Sequence, residues 1–214
     1  MSALLLAELV DGRLARDATA RALTACAPLG AVTVLVAGAG VAEAAQEAAS
    51  LAGVARVLVA DNTAYAHRLA EPVAALVVSL AGDHSHIVAP ATTDARNILP
   101  RVAALLDVMI LSEVTEVIDA ETFLRPVYAG NALQRVRSKE ETKVITFRTT
   151  AFEPAGGGGQ APMEEDAVEE AAAAPALSEW VEDRLAESDR PELTSARLGG
   201  PKHSWTRAKW PVGR

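Results

Sequence analysis

The chain has 214 residues, with 20 Lys and Arg against 28 Asp and Glu and a net charge of −8, enough for one ordinary domain or two small ones. That acidic balance excludes a general nucleic-acid binder, which needs a basic face to displace phosphate counterions. Cys26 is the only cysteine, which excludes an intramolecular disulfide and a zinc site built on Cys pairs, and a reducing compartment is expected.

Half of the residues are hydrophobic, but 45 of them are Ala, so closely packed helical surfaces are expected more than an aromatic-rich core. Met1 to Val10 has no basic n-region of a signal peptide. No apolar run approaches the ~18 residues of a spanning helix. A cytoplasmic chain with no membrane insertion is the expectation.

From the N-terminus, Ala3–Leu9 predicts a strand and Asp17–Ala27 a helix. Val32–Ala37 predicts a second strand, ending in Gly38-Ala39-Gly40 before a helix over Val41–Leu51. Arg56–Ala60 is a third strand, followed by a helix over about Thr63–Ala81. His86–Ala89 is a fourth, with a helix from Thr93 to Leu106 interrupted by Pro100. Continuous apolar strands between amphipathic helices point to a parallel sheet covered on both faces. Right-handed βαβ units then give a doubly wound α/β domain.

The pattern changes after Asp107. Met109–Ile118, Thr122–Tyr128, Ala132–Arg137 and Lys143–Phe152 are strand-like with no room for helices between them. Turns at Glu121 and Gly130-Asn131 suggest antiparallel strands that extend the parallel sheet within a single domain over residues 1–152. Residues 153–176, with Gly156–Gly159 and many carboxylates, read as an acidic flexible linker. A short helix over about Leu177–Glu187 follows, with Trp180 placed to anchor it, and Thr194–Leu198 reads as a strand that stops at Gly199-Gly200. Residues 199–214 carry four basic residues, no acid and two of the three Trp, leaving residues 1–198 at −12. This tail is unlike the rest and is expected to be non-native and without function.

Several residue sets invite a chemical reading. Gly38-Ala39-Gly40 sits between a strand and a helix, as a dinucleotide loop does, but position 43 is Glu43 where a third glycine belongs. A tight strand-to-helix turn is preferred, since that carboxylate opposes a pyrophosphate. His84 and His86, with Asp83, lie at i, i+2, and no fourth metal ligand is near; a turn and a strand account for them. Cys26 lies on an apolar helix face and reads as a small buried hydrophobe. No G-x-S-x-G elbow occurs, so an acyl or amide hydrolase lacks a constellation. Arg125 is placed to pair with a carboxylate such as Glu113 or Glu116.

Two segments are more informative: Arg96-Asn97-Ile98-Leu99-Pro100-Arg101-Val102-Ala103-Ala104, and Tyr128-Ala129-Gly130-Asn131-Ala132. In this order they resemble the alpha-subunit family of electron transfer flavoproteins, with its N-x-L-P-R-V-A-A helix before a Y-A-G-N-A hairpin. Leu6-Ala7-Glu8, Leu35-Val36-Ala37-Gly38 and Val57-Leu58-Val59-Ala60 are similar to its first three strands. Ser178-Glu179-Trp180 and Ser188-Asp189-Arg190-Pro191-Glu192-Leu193-Thr194 are similar to its bridge between domains, so the likeness covers about residues 1–198.

The resemblance implies a fold related to adenine-nucleotide-binding hydrolases and a heterodimer with a beta subunit, carrying one FAD. It implies electron transfer from acyl-CoA dehydrogenases and related flavoenzymes to a membrane quinone reductase. The structural adenosine monophosphate of the family belongs to the beta subunit, in keeping with the turn reading of Gly38-Ala39-Gly40. After Leu198 the family's flavin-domain segments have no counterpart, so FAD binding by this chain itself is not expected, and a truncation or frameshift at about Leu198 is. Residues 177–198 then read as the bridge and first strand of that flavin domain. What carries over is a partner interface at Asn97, Arg101, Tyr128, Ala129, Gly130 and Asn131, with helix capping and hairpin geometry as the competing reason for those residues. A stand-alone adenine-nucleotide-binding module using Gly38-Ala39-Gly40 is the alternative function.

Overall fold

The computed structural model describes residues 1–165 and 177–183. It divides into two units, Met1–Trp180 and Val181–Arg214. Of the second, residues 181–183 are described and carry neither helix nor strand.

The first unit is built around a seven-stranded parallel sheet. Its strands are β1 (Ser2–Leu6), β4 (Ala31–Gly38), β5 (Val54–Asp61), β6 (His86–Pro90), β7 (Ile110–Val114), β11 (Lys143–Phe147) and β12 (Met163–Glu165), in the order β12-β5-β4-β1-β6-β11-β7. A two-stranded hairpin, β2 (Leu9–Val10) and β3 (Arg13–Leu14), follows β1. A separate three-stranded antiparallel sheet holds β8 (Glu116–Val117), β9 (Thr122–Val127) and β10 (Ala132–Arg137).

Strand side chains alternate between the two faces. Ala3, Leu5 and Ala7 therefore join the core under α1 (Arg16–Cys26) and α2 (Ala42–Ala49), while Leu4 and Leu6 face α3 (Ala70–Ser79) and α4 (Thr93–Leu105). The Ala-rich composition serves this layering: Ala44, Ala45, Ala48 and Ala49 form the buried face of α2. Small side chains let that helix sit close to the sheet, where larger ones would hold it off. The doubly wound α/β expectation is met, and the antiparallel strands stand as a sheet of their own.

Four local expectations need correction. The helix expected over Thr63–Ala81 is a short turn at Thr63–Tyr65 followed by α3. Arg68 takes φ +48, a left-handed conformation that cannot continue a helix. Pro100, expected to interrupt α4, lies inside an unbroken helix. It is on the exposed face, so the helical bond it removes is lost on the solvent side. The strand expected over Met109–Ile118 divides into β7 and β8, with Glu113 at φ +61 next to a register shift against β11.

The fourth concerns Lys143–Phe152, expected to be antiparallel. Its first half, β11, is parallel to both β6 and β7 and buried along its whole length. An apolar run with no alternation needs cover on both faces, which a central parallel position supplies.

Residues 154–165, read from the sequence as linker, are laid against the sheet edge. Ala52 N donates to Gly156 O at 2.8 Å, Gly159 N to Ser50 O at 2.9 Å, Ala161 N to Ala49 O at 3.1 Å and Val57 N to Pro162 O at 2.9 Å. β12 then pairs with β5 through Met163–Val57, Glu164–Leu58 and Glu165–Val59. Over residues 177–183 no helix forms, contrary to the expectation from Leu177; the rest of that helix and the strand at Thr194–Leu198 lie outside the described residues.

Candidate functional site

In open α/β sheets ligands bind beyond the carboxyl ends of the strands, where the strand order reverses. Here that point lies beside β1, between β4 and β6. Gly38-Ala39-Gly40 leaves β4 at this edge, and Asp61 ends β5 next to it. Asp61 Oδ1 accepts from Gly40 N at 2.8 Å and Oδ2 from Val41 N at 3.1 Å. The amides that would grip a phosphate at the start of α2 are held by the protein's own carboxylate. A carboxylate about 20 residues beyond a glycine-rich turn is a ribose-binding feature in dinucleotide folds; here it closes the turn.

The neighbouring crevice is filled as well. Arg68 donates from Nη2 and Nε to Asp94 Oδ2 at 2.6 and 3.0 Å, from Nη1 to Ala37 O at 2.8 Å and from Nη2 to Ala7 O at 3.0 Å. Glu8 stands beside this pair. Burial raises its carboxyl above the ordinary value, the Asp94 carboxylate pushes the same way, and Arg68 opposes them.

An acid whose folded pKa is raised contributes stability that is full below its unfolded value and lost as pH rises through the folded one. Glu8→Gln is therefore expected to raise stability at about pH 7 more than at about pH 4, which urea unfolding at the two pH values measures. An equal effect at both would show that Glu8 carries no burial penalty.

His84 and His86 are structural. His84 Nδ1 lies 2.9 Å from Leu80 O. His86 is 1% exposed; its Nε2–H donates to Ala120 O at 2.8 Å and its Nδ1 faces the Ser85 hydroxyl at 2.9 Å. Burial lowers the His86 pKa and favours the neutral ring. Cys26 is buried, and burial pushes its thiol far above the ordinary range. Among the described residues no group of three or more His, Cys, Asp or Glu is arranged to hold a metal, and no helix is long and apolar enough to cross a membrane.

Arg125, expected to meet Glu113 or Glu116, donates instead to Ser112 Oγ at 3.1 Å. Glu113 is taken by Arg96 from α4 and by Arg148, whose Nε lies 2.9 Å away. Burial works to raise the Glu113 carboxyl, but the Arg148 and Arg96 guanidinium groups outweigh it and hold it low.

The surface residues singled out from the sequence fall in two places. Asn97 is exposed and Arg101 half-buried on α4, and Arg101 acts electrostatically on Glu71 of α3. Tyr128, Ala129, Gly130 and Asn131 form the tip of the β9–β10 hairpin. Tyr128 is 82% exposed, and Tyr128, Ala129 and Gly130 take φ of 51, 55 and 91 in succession. Two non-glycine residues in the left-handed region store local strain.

The arm is rooted firmly. Phe123 is fully buried in the core on the α1–α2 face, and Glu121 pairs with Arg137 at 2.7 Å across its base. Beyond that root β10 is exposed at five of its six residues, with Leu133 64% exposed. Since α4 covers the opposite face, the two sets of surface residues start from different sides of the sheet. Sequence reasoning missed Asp61, Arg68, Asp94 and Glu8 as a group. Their only local signal is a polar residue just after an apolar run, which is also what an ordinary strand end shows.

A family model described as the electron transfer flavoprotein domain matches residues 3–176. The chain is 64% identical over 197 residues to the electron transfer flavoprotein subunit alpha of Paracoccus denitrificans, a match covering 92% of this chain and 63% of that protein. To the subunits alpha of Bradyrhizobium diazoefficiens and Pseudomonas aeruginosa it is 57% and 48% identical over 199 residues, covering 92% of this chain and 62% and 63% of theirs. The chain thus spans less than two thirds of the length of these curated relatives.

Proposed function

The chain belongs to the electron transfer flavoprotein domain family, and we propose that it serves as alpha-subunit scaffold in a cytoplasmic heterodimer with a beta subunit. That heterodimer passes electrons from acyl-CoA and other dehydrogenases to a quinone reductase. The α/β unit supplies the surface on which beta packs, and the FAD of the heterodimer is held outside it. Residues 177–198 are the bridge toward a flavin-binding domain. The chain is an electron-carrier subunit and not an enzyme.

The observation that carries this reading is the β9–β10 arm. Its root is buried and ion-paired, yet its tip presents Tyr128 at 82% and Leu133 at 64% exposure. An isolated domain gains nothing from holding a large aromatic side chain in solvent on a strained turn. Exposed aromatic side chains are what interface cores are enriched in. Asn97 and Arg101 on α4 are proposed as a second contact.

Flavin held elsewhere is supported by the crevice chemistry. The residues at the strand ends do not fit a dinucleotide, because Asp61 holds the Gly40 and Val41 amides and Arg68 fills the space beside them. The same contacts speak against a stand-alone adenine-nucleotide module.

Co-expression with a family beta subunit tests the reading. The chain is expected to co-purify with beta and to remain colourless, without flavin uptake, when purified alone. Tyr128→Ser is expected to weaken the complex by about 2 kcal/mol, roughly thirtyfold in Kd, as for an aromatic hot spot. Unchanged affinity for Tyr128→Ser and Arg101→Ala together would remove the proposed interface, and a yellow chain alone would overturn the flavin assignment.

A further inference from the structure

Residues 177–180 have no secondary structure of their own, yet two contacts hold them to the α/β unit. Trp180 stacks on His67 with ring centroids 3.9 Å apart and planes 2° from parallel. Ser178 Oγ donates to Glu71 Oε2 at 2.9 Å. His67 lies between β5 and α3, and Glu71 in the first turn of α3. Both receptors are therefore at the carboxyl edge of the sheet, on one side of the opening of α3. Leu177 is 73% exposed while Trp180 is 39% exposed, so the indole is where this segment buries surface.

We propose that the His67–Trp180 stack is a latch that holds residues 177–180 on the α/β unit. Ordering a segment without helix or strand costs backbone entropy at every residue, which its few contacts must offset. The aromatic stack is the larger of the two here.

Glu71 on α3 carries the second contact of the segment. Glu71 is kept ionised by its own backbone amide and by the Ser178 hydroxyl, with Arg101 of α4 assisting. Arg68, next to His67 in the chain, has its guanidinium turned to Asp94. This latch does not depend on the beta-subunit reading.

Trp180 can be observed alone in a Trp205→Phe, Trp210→Phe background, since the sequence has three tryptophans. In that protein, acrylamide access to Trp180 is expected to stay low. His67 is exposed, so its substitution leaves the core intact.

His67→Ala is expected to raise acrylamide quenching about twofold, the change a stacked aromatic contact gives. His67→Phe is expected to keep the low quenching. Parent-like behaviour of His67→Ala would overturn the latch. His67→Phe quenched as strongly as His67→Ala would overturn the role of stacking.

Discussion

Gly159→Ala is expected to destabilise the α/β unit by about 3 kcal/mol, the upper end of overpacking costs. A Cβ at this position would stand 2.2 Å from the Leu51 carbonyl oxygen, 2.8 Å from its carbon and 3.0 Å from the Ala49 oxygen. All three are backbone atoms at the end of α2 or just beyond it, and none can rotate aside. Relief requires moving the 154–165 segment outward. That movement would strain the Gly159–Ser50 and Ala161–Ala49 bonds and the pairing of β12 with β5. In thermal unfolding the loss corresponds to a fall in Tm of about 6–12 °C for a unit of this size.

Neighbouring glycines supply the controls. At Gly156 an added Cβ meets nothing within 4 Å and the backbone is not left-handed. Gly156→Ala should therefore be neutral or stabilising by up to about 1 kcal/mol, through the unfolded chain. Gly158 has the same open space but φ +96, so Gly158→Ala should cost about 1–2 kcal/mol in backbone strain alone. A free linker would give three indistinguishable variants. The graded series distinguishes a docked segment from a tether, and equal stability for Gly156→Ala and Gly159→Ala would refute the docking.

The same segment shows where the sequence stops being legible. β1, β4, β5 and β6 are readable because each contains a continuous apolar run, Ala3–Leu6, Val34–Ala37, Val57–Ala60 and Ile87–Ala89. β10 is readable from its flanking turn and its length. β12 is Met163-Glu164-Glu165, with no apolar signature at all. What makes it a strand is the free edge of β5, a long-range feature that no local window contains. Four glycines in a row have the composition of a flexible tether, and the backbone freedom behind that expectation also lets the chain pass within contact distance of the Leu51 carbonyl. Likewise Lys143–Phe147 reads as a strand, but its parallel partners are 57 and 34 residues back along the chain, Lys143 pairing with His86 and Val144 with Ile110.

The candidate site divides in the same way. The hairpin tip was legible because Tyr128-Ala129-Gly130-Asn131 is a local motif, and the turn sits where it was expected. The plugging of the strand-end crevice was not, since Arg68 meets Asp94 from 26 residues away and two strand carbonyls from 31 and 61 residues away. Gly38-Ala39-Gly40 leads from β4 into α2, as its place between an apolar run and a helix suggests, and the carboxylate that occupies the Gly40 amide is Asp61, 21 residues further on.

Arg68→Ala is expected to cost about 3–5 kcal/mol, the range for removing one partner of a buried ion pair. The side chains of Arg68 and Asp94 are 10% and 20% exposed, so water replaces the lost guanidinium poorly. Three acceptors are orphaned at once: the Asp94 carboxylate and the carbonyls of Ala7 and Ala37. They lie just past β1, in β4 and in the first turn of α4, so this one side chain ties together the elements on either side of the point where the strand order reverses. Arg68→Lys keeps the charge but not the planar fork that reaches all three acceptors, and should recover less than half of the loss. Arg68→Gly loses the same contacts but relaxes the φ of +48, so it should be less damaging than alanine by about 1 kcal/mol. Chemical unfolding of the three variants gives the order Lys, Gly, Ala from mildest to most severe. If Lys matched the parent, charge alone would account for the site and the fork would carry no weight; if Ala cost under about 1 kcal/mol, as an exposed pair does, the crevice would be wet and open to a ligand.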